Sequence, residues 1–215
     1  MTENLYQVQY DVTKRSKFKK FYQANKIIIF SFVSIIVVLF LSLSFYLNKQ
    51  ENKKILLSEH FLQAKIFLER GDNDKAKNLL KKIIFENEPT YSSLSLFLIM
   101  NQNLITDRQE LSDLFDHLLK NNNFKKEIKN LIIYKKVLLN SDFIDESNII
   151  EAVRPLLNDE SSWKPHALLL LGDYFISKGE KSKAVEFYKE ILTMKNLQKD
   201  FYNHASLQLA IIANE

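Results

Sequence analysis

The chain has 215 residues, with 30 Lys and Arg against 26 Asp and Glu, three glycines, three prolines and no cysteine. The lack of cysteine excludes disulfides and thiolate-held metal and leaves the redox compartment open, and so few breakers favour long helices over hairpins. Residues 1–26 hold Lys14, Arg15, Lys17, Lys19, Lys20 and Lys26 against Glu3 and Asp11, six minus two, which is the entire net charge of +4; the neutral remainder excludes a nucleic-acid domain with a basic patch on its folded body.

The basic tail (1–26) leads into residues 27–47, which carry no charge and are mostly Ile, Val, Leu and Phe, with Ser31, Ser34, Ser42 and Ser44 as the polar exceptions. At about 1.5 Å per residue such a run spans a hydrocarbon core of ~30 Å, so it reads as a transmembrane helix. Tyr22 and Tyr46 stand near its ends, where amphipathic rings favour the interface. The basic residues before it outweigh Lys49, Lys53 and Lys54 after it, which predicts a cytoplasmic N-terminus and a C-terminal domain on the far side. A cleaved signal peptide, with Ser42-Leu43-Ser44 as the small-residue site, has the same basic start but a shorter apolar core. The same cations serve as a topology signal and anionic-lipid contact; the sharper alternative makes Lys14–Tyr22 a specific docking site for acidic cytoplasmic partners.

Residues 48–56 read as a juxtamembrane linker or helix start, and 57–215 as an all-α domain. Four segments share apolar residues at i, i+3, i+4, i+7 and i+8, starting at Ala76, Leu111, Ile149 and Ala184. The starts lie 35, 38 and 35 residues apart, which predicts helix-pair repeats of about 34 residues, an α-solenoid of tetratricopeptide type. The repeats fall at about 57–90, 91–123, 124–162 and 163–198, with a capping helix at 199–215 that covers the open end of the stack. The last repeat carries the pattern most fully, in Leu171, Gly172, Phe175, Gly179, Ala184 and Tyr188. The first has Ala64, Phe67, Gly71, Ala76 and Leu80 in the equivalent places. Small residues belong where paired helices cross, and Gly179 where the first helix ends in a left-handed residue. Pro89 reads as a stop after the first pair. Pro155 sits inside the third stripe and should kink that helix or shorten it to a turn, residues 158–163 read as a loop, and Pro165 opens the next helix.

The order of basic tail, signal anchor and helical repeats resembles the YfgM-like family of ancillary Sec-translocon subunits, most specifically in Ser162-Trp163-Lys164-Pro165-His166-Ala167 and on through Gly172, Gly179, Ala184 and residues 205–210. The middle repeats depart from the pattern. The resemblance implies a bacterial inner-membrane protein with a periplasmic repeat domain and no enzymatic activity. It implies as partners a SecYEG-type channel and a membrane-anchored periplasmic chaperone, and a role in assisting proteins that emerge from the channel. The alternative is a scaffold for envelope assembly or cell division that does not touch the translocon.

Catalytic, metal and cofactor signatures are not found. All three glycines have repeat positions, which leaves none for a phosphate loop or nucleophile elbow. His60, His117, His166 and His204 lack ligand spacing. Asp72-Asn73-Asp74 lacks the later Gly and Glu of a calcium loop and reads as a helix N-cap. No cofactor and no small-molecule substrate is expected. Trp163 reads as a packing residue at the loop before the last repeat, with a peptide anchor as the alternative.

Overall fold

The computed structural model describes residues 12–158 and 161–214, with side chains from residue 19 onward. The regular structure among them is helical throughout: α1 Val12–Glu69, α2 Asn73–Phe85, α3 Pro89–Asn101, α4 Arg108–Asn121, α5 Lys126–Asn140, α6 Glu146–Val153 with a 3-10 turn at Arg154–Leu156, α7 Lys164–Ser177, α8 Lys181–Thr193 and α9 Lys199–Asn214. The all-α expectation is borne out. The chain forms two compact units, Met1–Ile55 and Leu56–Glu215.

Over its described residues, the first unit is the N-terminal part of α1. Its most apolar 18-residue window has a mean hydropathy of 2.9 and buries none of its side chains against protein, so this helix is long and apolar enough to cross a membrane. Asn25 interrupts the helix just ahead of the apolar run, with φ −116° and ψ 19°. Its Nδ2 donates to the Phe21 carbonyl at 3.1 Å. An asparagine that bonds the backbone four residues back competes with the helical ladder, and helices bend at such places. Lys19, Lys20 and Lys26 are exposed on either side of the break. The side chains of Lys14, Arg15 and Lys17 lie outside the described residues.

The second unit is a stack of helix pairs: the end of α1 with α2, then α3 with α4, α5 with α6, and α7 with α8, closed by α9. Each predicted stripe is the buried face of a second helix. Ala76, Leu80, Ile83 and Ile84 are buried on α2, Leu111, Leu114, Phe115 and Leu118 on α4, Ile149 and Val153 on α6, and Ala184, Tyr188 and Ile191 on α8. Two apolar cores result. One gathers Leu57, Ala64, Leu96 and Ile99 with the α2 and α4 stripes and Ile132; the other gathers Val137 with the stripes of α6 and α8 and the buried face of α7. Helix α5 therefore belongs to both, through Ile132 on one side and Val137 on the other.

Helix ends follow local rules. Gly71 and Gly179 have φ +78° and +77°, the left-handed residue that stops α1 and α7. Asn87 and Asn103, at φ 56° and 48°, do the same after α2 and α3. Two expectations change here. Pro89 is the first residue of α3 and Asn87 is the stop before it, because a proline without N–H fits the first helical turn. Asp72 stands at the N-cap position of α2 but makes no capping bond. Its carboxylate instead takes Lys75 Nζ at 3.0 Å. Asp107 and Asp145 do cap, accepting from Gln109 N at 2.8 Å and Asn148 N at 2.9 Å.

Candidate protein-interaction surface

The repeat-packing residues gather at the two ends of the domain. In the last pair, a Cβ on Gly172 would lie 2.5 Å from the Tyr188 ring, so α7 and α8 meet at a distance only glycine allows. Leu171, Phe175, Ala184 and Tyr188 are fully buried around this crossing. Phe175 stacks on Phe187 at 5.5 Å. In the first pair, Ala64, Ala76 and Leu80 are fully buried and Phe67 is half-buried. Tyr188 donates to Asp173 Oδ1 at 2.6 Å. Burial first, and this bond to a carboxylate second, push the phenol well above its ordinary pKa.

Beside that crossing, Trp163 packs as expected at the loop before α7, with its ring 5.6 Å from Tyr134 and 4.7 Å from His166. His166 also meets Phe201 edge-on at 4.7 Å, so one imidazole ties α5, α7 and α9 together. Its Nδ1 is buried without a hydrogen-bond partner of good geometry. Burial lowers its pKa below the usual histidine value, and the Ser162 backbone offsets part of that shift. His204 Nε2 lies 3.4 Å from Asp173. His117 is bonded to Asn87 at 2.8 Å, in a separate place.

The structure brings together a further set of residues, which the repeat pattern did not single out. Pro155 lies in the 3-10 turn that ends α6 after eight residues, where the second helices of the other pairs run to 13 or 14. Proline removes the N–H and clashes with the preceding turn, so the α-helix cannot continue. A cleft of about 530 Å³ lies among α4, α5 and α6, lined along α6 by Asn148, Glu151 and Ala152 and at the turn by Pro155. Leu119, Ile133, Val137, Ile144 and Ala152 supply its apolar walls, and Arg108, Gln109, Lys136, Asn148 and Glu151 its polar edge.

The edge is held in place. Asn140 is buried at 9% exposure, accepts from Arg108 Nη1 at 3.0 Å and donates to the Lys136 carbonyl at 2.9 Å. The Arg108 guanidinium lies over the exposed Phe143 ring at 4.1 Å. Lys136 reaches Asp116 at 2.5 Å. Apolar walls with a few fixed donors and acceptors on the edge are the general make-up of a ligand-binding cleft. Among the described residues no group of three His, Cys, Asp or Glu side chains is placed to hold a metal ion.

Comparison of this chain with protein-family models, curated proteins and solved structures gives no match.

Proposed function

We propose that this chain is a membrane-tethered protein-interaction scaffold that takes its partner in the cleft among α4, α5 and α6. The observation that carries this reading is the cleft itself, apolar inside and polar at the edge, with Pro155, which ends α6, in its lining. The helix of residues 27–47 anchors the scaffold, and the surplus of cations ahead of it favours a cytoplasmic N-terminus and a helical domain outside. The resemblance to YfgM-like proteins supports a finer version: an ancillary subunit beside a Sec-type channel in a bacterial inner membrane, which recruits a membrane-anchored chaperone to emerging proteins.

The test is photo-crosslinking in native membranes from a reactive side chain at Gln109, on the edge of the cleft. Channel subunits or a membrane-anchored chaperone among the products support the finer reading; products from envelope-assembly or division proteins favour the alternative scaffold. Ala152→Trp fills the cleft from the half-buried wall of α6 and should abolish the products while the protein stays folded and membrane-bound. Undiminished crosslinking in that variant would sink the cleft as the binding site.

A further inference from the structure

Residues 64, 67, 71, 76 and 80 of the first pair stand 108 positions before 172, 175, 179, 184 and 188 of the last. The same offset pairs Glu59 with Ala167, Leu62 with Leu170 and Ile66 with Tyr174. In the last pair these three residues are buried in the C-terminal core, on a helix that packs against α5 and α6 of the pair before it. In the first pair the equivalent residues are open: Leu62 is 58% exposed and Ile66 37%, Glu59 is exposed between them in the stripe, and Leu56 beside it is 50% exposed. The far end of the stack is closed by α9. Among the described residues no helix pair precedes the first one. Its leading helix therefore presents a face built to be covered by another helix, and a solenoid end of this kind normally carries a polar surface or a cap.

We propose that a second copy of this chain covers that face, with α1 of each copy running parallel to the other through residues 56–66 about a two-fold axis. The proposal rests on the anchoring role of residues 27–47. Copies inserted by the same charge-flanked segment share one polarity, so the two stripes meet in register, Leu62 with Leu62 and Ile66 with Ile66. Spacings of three and then four from Glu59 through Leu62 to Ile66 are those of a seam between parallel helices. The area argues for a tethered pair. Three aliphatic side chains cover on the order of 200–300 Å² per copy, well short of the ~800 Å² per partner of a free-standing complex. Confinement to one membrane supplies the local concentration that this area lacks. Glu59 is the discriminating residue. Between two copies it faces its own like charge, whereas in a different partner a buried-edge glutamate calls for a cation.

The chain has no cysteine, so single cysteines report proximity without background. Gln63→Cys places a thiol beside the stripe, and Glu186→Cys an exposed thiol on α8 as control. Both full-length variants are expressed in bacterial membranes and oxidised with copper phenanthroline. The expected result is a disulfide dimer of twice the chain's mass, several-fold more abundant from position 63 than from 186. Leu62→Asp with Ile66→Asp should reduce it to the control level, and because both side chains are exposed the helical signal should not change. Glu59→Gln should raise the dimer yield by about twofold, the scale of one relieved like-charge pair on a helix. Equal yields from 63 and 186, a product with a different protein, or a yield lowered by Glu59→Gln would each overturn the pairing. Alkaline carbonate extraction scores the anchor separately: release of the chain overturns the anchoring reading and the pairing with it, while retention with equal yields overturns the pairing alone.

Discussion

Replacing Gly172 with alanine puts two opposing effects on one residue. Alanine in a helix interior is favoured over glycine by about 1 kcal/mol. Against that, its Cβ would stand 2.5 Å from Cε1 and 2.7 Å from Cζ of Tyr188. Carbon atoms in good contact are about 3.5–4.0 Å apart, so something must move by about 1 Å. The Tyr188 ring is fully buried, and its hydroxyl is committed to Asp173 at 2.6 Å. Overpacking of this kind costs about 1–3 kcal/mol, and disturbing a hydrogen bond to a carboxylate costs about 1.5–3 kcal/mol before solvent screening of the half-exposed Asp173. The net expectation is a loss of about 1–3 kcal/mol, a melting point lower by about 2–12 °C for a domain of this size. The measurement is circular-dichroism melting of the full chain in mild detergent, for wild type, Gly172→Ala, Tyr188→Leu and the double variant. With the ring removed, Gly172→Ala should turn neutral or stabilising, since only helix propensity remains. An equal loss in both backgrounds, or wild-type stability in the single variant, would refute the assignment of this contact as the crossing of α7 and α8. Gly172→Leu should cost more than the alanine variant in the same assay.

At Gly179 the added Cβ meets nothing within 4 Å and φ is +77°, so Gly179→Ala should cost only the left-handed strain of about 1–2 kcal/mol, while Gly179→Asn, which tolerates that conformation, should melt closer to wild type. Ser95 is fully buried on α3 with its hydroxyl unpartnered; Ser95→Ala should be neutral or raise stability by up to about 1 kcal/mol, and a clear loss would mean that a partner exists. His166 has a folded-state pKa held below its ordinary value by burial, so its contribution is complete above the unfolded value of about 6.5 and is lost as pH falls from there toward the lowered folded value. The melting point should drop across that window in wild type, and His166→Phe should flatten that part of the profile; an unchanged profile would place the titration elsewhere.

The second helix of each pair was open to reading because its stripe is regular: Ala76, Leu111, Ile149 and Ala184 each begin a buried face on α2, α4, α6 and α8. The first helices of the middle pairs were not. Helix α3 buries Ser92, Ser93 and Ser95 next to Leu96 and Ile99, and Ser92 Oγ donates to the Ile83 and Ile84 carbonyls at 3.1 Å. Serines that bond the backbone of a neighbouring helix look polar in a periodicity search while acting as small packing residues. Helix α5 hides its role differently, since it turns Ile132 to one core and Val137 to the other and so shows no single stripe. The scarcity of glycine also concealed helix ends, because Asn87 and Asn103 take the left-handed positions that Gly71 and Gly179 take elsewhere. Short polar side chains make that conformation accessible, and an asparagine-rich chain offers too many candidates to choose from.

The cleft was hidden for a related reason, although Pro155 in its lining was visible. Sequence spacing shows where a helix must stop, but the residues that line the cleft come from three helices. Arg108 and Asn140 are 32 positions apart, joined by one hydrogen bond at 3.0 Å. Sequences that depart from local regularity and then satisfy the resulting polar groups do so most often at functional sites. Here the departure and its compensation meet at the same cleft, with Asn140 bonded to Arg108 and to the backbone of Lys136 at its edge. The last pair stands in contrast at its crossing: it obeys the repeat pattern and is closely packed where Gly172 meets the Tyr188 ring. The irregular middle pairs, where Asn140 and Pro155 line one cleft, are therefore where we propose the partner binds.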